Sequence, residues 1–84
     1  MTFQDPDIFY WYIREHFPHT IYTFGQSGME GMKWCRDHLG PEARSQDNKG
    51  THLDFNARWV MHNHFEFHFK SQDDALLFKI AMSK

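Results

Sequence analysis

The chain contains a single cysteine, Cys35, among its 84 residues. One thiol cannot form an internal disulfide, and a chain without a cysteine framework is typical of a reducing compartment. The longest apolar run, residues 8–13, is far shorter than the roughly 20 residues that a membrane-spanning helix needs. The first residues also lack the basic and apolar stretches of a secretion signal. We therefore expect a soluble cytoplasmic protein without a membrane partner.

The chain also lacks an excess of positive charge. It has nine lysines and arginines against eleven acidic residues, for a formal net charge of −2 and an isoelectric point near 6.3. Nucleic-acid-binding domains usually carry a basic excess or a clustered basic stripe. Here the basic residues are scattered, so nucleic acid is disfavoured as a partner, and a nucleic-acid-binding accessory protein stays only an alternative.

Aromatic side chains are abundant instead. Phe, Trp and Tyr make up 18% of the sequence, and seven histidines are added to them. A chain of this length forms one domain, residues 1–84. Aromatic residues bury large areas and are enriched at protein interfaces. We expect part of this aromatic surface to be covered in a homodimer, with Tyr10, Trp11 and Trp59 as the candidate interaction residues.

Three helices are predicted from their end signals. Asp5 and Pro6 begin a helix over residues 6–17, although the β-prone run 8–13 leaves a strand as the alternative. Ser27 and Glu30 have capping-box spacing and begin a helix that ends at Leu39, before Gly40. Ser71 caps a final helix whose apolar stripe is formed by Ala75, Leu77, Phe78, Ala81 and Met82.

The strands are predicted from β-branched and aromatic runs. Residues 20–24 form one strand and residues 53–61 a second, followed by a turn at residues 62–63. Residues 65–70 alternate strictly: Phe65, Phe67 and Phe69 should face the core, and Glu66, His68 and Lys70 the solvent. The polar segment 42–50 reads as a mobile surface loop.

These elements predict an α+β fold in the order helix, strand, helix, loop, strand, strand, helix. Few strands with segregated helices indicate a small two-layer sandwich, in which an antiparallel sheet has its helices on one face.

The main chemical candidate is the alternating set of His62, His64, Glu66 and His68. On a continuous strand these side chains share one face, and imidazole and carboxylate groups are ligands for Zn or Ni. We therefore take His64, Glu66 and His68 as candidate metal ligands, with His62 as an additional one. The competing interpretation is a solvated polar face without a cofactor. No catalytic residue is predicted, and Cys35 reads as a small buried hydrophobe.

A family resemblance adds to this pattern. The segment Phe65-x-Phe67-x-Phe69-Lys70-Ser71-x-x-Asp74-Ala75-x-x-Phe78-Lys79 resembles the tail of short uncharacterised proteins from tailed bacteriophages, of the T4-like and marine cyanophage type. Trp34-Cys35 and Gly40 are similar to a helix found upstream in some of them. The resemblance implies a viral source, the host cytoplasm as location and a host or phage protein as partner. It supplies no site residues. We predict a small non-catalytic protein-interaction domain that self-associates.

Overall fold

The computed structural model describes residues 2–23, 27–63 and 65–83, which form short strands and helices. The elements are β1 (Thr2–Phe3), α1 (Pro6–His16), β2 (His19–Tyr22), α2 (Ser27–Leu39), β3 (Arg44–Asp47), β4 (Gly50–Leu53), β5 (Trp59–Asn63), β6 (Glu66–Phe69) and α3 (Gln72–Met82). All strand pairs are antiparallel. The predicted α+β class is therefore confirmed. No helix in the described part of the chain is long and apolar enough to cross a membrane.

The helix ends follow from local hydrogen bonding. Asp5 Oδ1 accepts a hydrogen bond from the Asp7 N–H at 2.9 Å at the start of α1. Ser71 Oγ accepts from the Asp73 and Asp74 N–H groups at 3.1 and 3.4 Å at the start of α3. α2 ends before Gly40, whose φ of 90° lies in the left-handed region that favours glycine. All three predicted helices are thus present, and residues 8–13 are helical rather than extended.

The described strands form two sheets, with the orders β1-β4-β3 and β2-β6-β5. The predicted loop 42–50 instead contains β3 and the first residue of β4, and these two strands form a hairpin that extends to Leu53. Its turn is closed by Asp47 Oδ1, which accepts from the Lys49 N–H at 2.8 Å, and by Gly50 with a φ of 132°. Most of its side chains are polar and at least partly exposed, so the sequence carries no apolar alternation that would reveal these strands.

The sheet β2-β6-β5 is covered on both faces. One face packs against α2 and α3 in a core formed by Cys35, Leu39, Trp59, Met61, Phe67, Phe69, Ala75 and Phe78. The other face lies under α1. There a second core joins this sheet to the smaller one through Phe3, Phe9, Ile13, Phe17, Ala43, Leu53 and Val60. This differs from the predicted placement of all helices on one face, because α1 has apolar residues to bury against both sheets.

Coverage of both faces also corrects the predicted orientation of β6. Phe67 and Phe69 are fully buried as expected, but Glu66 and His68 are also buried, at 7% and 1% exposure. Phe65, expected in the core, precedes the first residue of β6 and is 43% exposed. In α3, Ala75 and Phe78 are buried while Leu77 is exposed.

Candidate interaction surface

Two of the predicted metal ligands belong to a buried hydrogen-bond network instead of an open face. Glu66 Oε2 accepts a hydrogen bond from Tyr10 Oη at 2.8 Å and lies 2.7 Å from His68 Nε2. His68 Nδ1 lies 3.0 Å from Thr20 Oγ1. A neutral imidazole protonated at Nε2 satisfies both contacts: it donates to Glu66 and accepts from the Thr20 hydroxyl. The network therefore ties α1, β2 and β6 together.

The electrostatics of this network favour neutral partners around one carboxylate. Burial lowers the pKa of His68, and this outweighs the opposing effect of Glu66. The hydrogen bond to Glu66 raises the pKa of Tyr10, and burial adds to that rise. Near neutral pH the imidazole is thus uncharged, and both Tyr10 and His68 donate to Glu66.

His62 is adjacent to this network without joining its hydrogen bonds. Its ring stacks on Tyr10 with a centroid distance of 4.2 Å and lies 6.4 Å from the His68 ring. Its Nδ1 is buried and has no hydrogen-bond partner in the described part of the chain. Residues 2–23, 27–63 and 65–83 contain no group of three His, Cys, Asp or Glu side chains arranged to hold a metal ion. The predicted ligand His64 lies outside these ranges.

The Thr20 hydroxyl contacts the His68 imidazole, which in turn contacts the Glu66 carboxylate. Catalytic triads have the same order of groups, with a nucleophile, a base and an acid that orients the base. A base must exchange a proton with a substrate, however, and the His68 ring is enclosed with both nitrogens engaged. Its burial favours a structural role. Cys35 is also fully enclosed, and burial raises the pKa of its thiol, so the thiolate needed for nucleophilic chemistry is disfavoured.

The three predicted interaction residues lie in different environments. The prediction that Trp59 is a surface residue is wrong. Trp59 is fully buried, and its Nε1–H donates to the Gly40 carbonyl at 2.8 Å. Tyr10 is half-buried because it covers Glu66. Trp11 is 55% exposed, and Tyr22, which is not among the predicted interaction residues, is 54% exposed.

Trp11 and Tyr22 line one open cleft between α1 and β2. It has a volume of about 650 Å³, and its walls also include Tyr10, Arg14, Glu15, Pro18 and Thr20. A second cleft of about 490 Å³ lies between β2 and α3 and is lined by Thr20, Ile21, Tyr22, Thr23, Lys79, Met82 and Ser83. Strand β2 therefore runs between two clefts, one on each face of its sheet.

β2 and β5 are the edge strands of this sheet, and the edge of β5 is covered. The Ala43 N–H donates to the Trp59 carbonyl at 2.9 Å, and Glu42 Oε2 accepts from the Met61 N–H at 2.8 Å. These contacts satisfy outward-pointing backbone groups of β5 and leave little of that edge available for another strand.

Within the residues that the structure describes, the outer edge of β2 is open. The Thr23 N–H donates to the Phe65 carbonyl at 2.7 Å, and hydrogen-bonded pairs alternate along an antiparallel ladder. In the observed register, Ile21 opposite Phe67 therefore bonds to β6, whereas Thr20 and Tyr22 point their N–H and C=O groups away from it. No strand in the described ranges pairs with that side.

We call the outer edge of β2, together with Trp11, Arg14, Glu15 and Tyr22 beside it, the edge surface. The sequence contains a partial signal for the edge surface, because Trp11 is one of the predicted interaction residues. The open edge depends on strand order, which no local pattern encodes. Comparisons with protein-family models, with curated proteins and with solved structures find no match to this chain.

Proposed function

We propose that this chain is a small protein-interaction domain, encoded by a tailed bacteriophage, that binds an extended protein segment along the outer edge of β2. The observation that carries the proposal is the contrast between the two edges of one sheet. Glu42 and Ala43 cover β5, whereas Thr20 and Tyr22 keep outward backbone groups without a partner strand in the described part of the chain.

An open edge is a liability that proteins usually remove with lysines, prolines, bulges or a covering segment. β2 has the sequence His-Thr-Ile-Tyr and carries no lysine or acidic side chain. Pro18 precedes it and has no N–H, so it limits the open stretch to a few residues. The open stretch of β2 therefore offers pairing positions only to a short extended segment.

The two clefts supply side-chain specificity. An added strand directs alternate residues to opposite faces of the sheet. One set would enter the cleft with Trp11 and Arg14, and the other the cleft with Lys79 and Met82. Strand addition uses main-chain hydrogen bonds for affinity and such pockets for specificity. Exposed Trp and Tyr side chains are also frequent anchors in protein interfaces.

The viral part of the proposal is supported by the resemblance of residues 65–79 to tailed-phage proteins. A domain of this size that works inside an infected cell would act by occupying a host or phage protein. Binding through backbone groups suits such a role, because it needs a short extended segment rather than a large preformed surface.

A random heptapeptide library selected on the full-length protein tests this function. We expect selected peptides to lose at least about tenfold in affinity, or about 1.4 kcal/mol, on the variant Tyr22→Pro, which removes one outward N–H and no bond to β6. Tyr22→Thr keeps that N–H and removes the ring, and so separates the backbone from the side-chain contribution. The exposed Leu77→Ala serves as the control. Failure to select binders, or binders unaffected by Tyr22→Pro, would contradict the proposal.

A further inference from the structure

We infer that the segment bound at the edge surface is β2 of a second copy of this chain, antiparallel and centred on Ile21. This inference rests on the proposed function and names the partner. It would join the two copies into one six-stranded sheet with the order β5-β6-β2-β2-β6-β5.

The backbone of β2 is complementary to itself in one register. The outward groups belong to Thr20 and Tyr22, one residue on each side of Ile21. An antiparallel copy placed about Ile21 sets each Thr20 opposite the partner's Tyr22, so that both strands exchange N–H and C=O bonds at two positions. Centring on Thr20 would instead set Tyr22 opposite the partner's Pro18, which has no N–H to donate. The Ile21-centred register thus uses every outward donor of β2.

The side chains also match across this axis. The two-fold axis of an antiparallel strand pair is perpendicular to the sheet, so each copy places its α1 cleft beside the partner's cleft. Arg14 and Glu15 line the same cleft. Each copy therefore offers one cation and one anion to the shared groove, which is the requirement for a self-complementary interface. Trp11 and Tyr22 of both copies would lose their exposure in that groove.

The other face contributes an apolar contact. Ile21 is partly buried against the core that contains Phe67 and Phe78. In the proposed register Ile21 faces the partner's Ile21 as a non-hydrogen-bonded pair, which brings the two Cα atoms to about 4.5 Å. That contact would extend the α2–α3 side of the core from one copy into the next.

The same geometry makes Ile21 a site for cross-linking. A separation of about 4.5 Å lies within the range of Cα distances found in disulfides. We expect Ile21→Cys, in a Cys35→Ala background, to form a covalent dimer under mild oxidation at micromolar concentration. His19→Cys and Leu77→Cys are the controls, because neither side chain faces its own copy in this register, and we expect both to stay monomeric on non-reducing gels.

A heterologous pair keeps the inference testable if Ile21→Cys does not fold. The register sets His19 opposite the partner's Thr23, so mixed His19→Cys and Thr23→Cys proteins should cross-link while neither does so alone. Light scattering on the unmodified chain gives the oligomeric state independently, and Tyr22→Pro should convert the dimer to a monomer.

The outcomes separate the inference from the proposed function. A dimer that cross-links through Ile21→Cys supports both. A dimer that cross-links through Leu77→Cys, or one unaffected by Tyr22→Pro, overturns the inference. A monomer at all concentrations also overturns it, but the proposed function stands if selected peptides still depend on Tyr22→Pro. A monomer that yields no such peptides removes both.

Discussion

At the scale of single residues, alternation in the sequence predicts which side chains share a face of a strand. It is a poorer guide to whether that face is exposed to solvent. The pattern around β6 correctly separates Phe67 and Phe69 from Glu66 and His68. It assigns the second pair to solvent because polar side chains on a strand usually face water. Their burial depends on Tyr10, which is 56 residues from Glu66 in sequence, and such a contact has no local signal.

The buried imidazole of His68 predicts a stability that falls in mild acid. Its pKa is lowered in the folded state, mainly by burial, so the folded protein resists protonation, whereas an unfolded histidine takes up a proton below about pH 6.5. Stability from the neutral ring is therefore complete above pH 6.5 and is lost as the pH falls below it. Between pH 7 and 5.5 we expect the unfolding free energy to decrease by about 1 kcal/mol more in the native chain than in His68→Gln.

Urea unfolding at a series of pH values measures this difference. His16→Gln, at a solvent-exposed position, is the matched control and should retain the pH dependence of the native chain. Parallel curves for the native chain and His68→Gln would show that the His68 ring does not set the pH response.

At the scale of elements, helices could be predicted from the sequence and the small sheet could not. Helix caps such as Asp5 and Ser71 act within three residues of their partners, so short motifs reveal them. The β3–β4 hairpin carries polar residues on both faces, and its strand β4 also pairs with β1, which is distant from it in sequence. The sequence therefore predicted the segment 42–50 as a loop.

The junction between β5 and α3 contains an ion pair between Arg58 and Asp74. The sequence does not reveal it, because an acidic residue at this position also fits a helix start. Asp73 and Asp74 both fit a helix N-terminus, but Asp74 also accepts two hydrogen bonds from Arg58, at 3.0 and 2.7 Å, just before β5. Asp74 is buried, while the Arg58 side chain is 53% exposed. We expect Asp74→Asn to reduce the unfolding free energy by about 1 to 2 kcal/mol more than Asp73→Asn, a range limited by the exposure of Arg58.

Paired urea titrations of the two variants isolate that contribution, because each removes one negative charge from the same helix turn. Equal losses would mean that the helix dipole, and not the Arg58 contact, accounts for the effect of Asp74. In that case the junction between β5 and α3 would be held by apolar packing alone.

At the scale of the whole molecule, the proposed self-association predicts a thermal stability that depends on protein concentration. The abundance of aromatic residues predicts an interface, but the position proposed for it depends on the strand order, which places β2 at the edge of its sheet. When folding is coupled to dimer formation, mass action raises the melting temperature with protein concentration. For a chain of this size, a tenfold increase in concentration raises the melting temperature by about 3–5 °C.

We expect this rise in melting temperature in differential scanning calorimetry of the native chain. We expect none in Tyr22→Pro, whose unfolding should be unimolecular. A concentration-independent melting temperature in the native chain would place any partner of β2 outside this protein, whereas an equal shift in Tyr22→Pro would assign the dimer to another surface, such as the exposed Leu76 and Ile80 of α3.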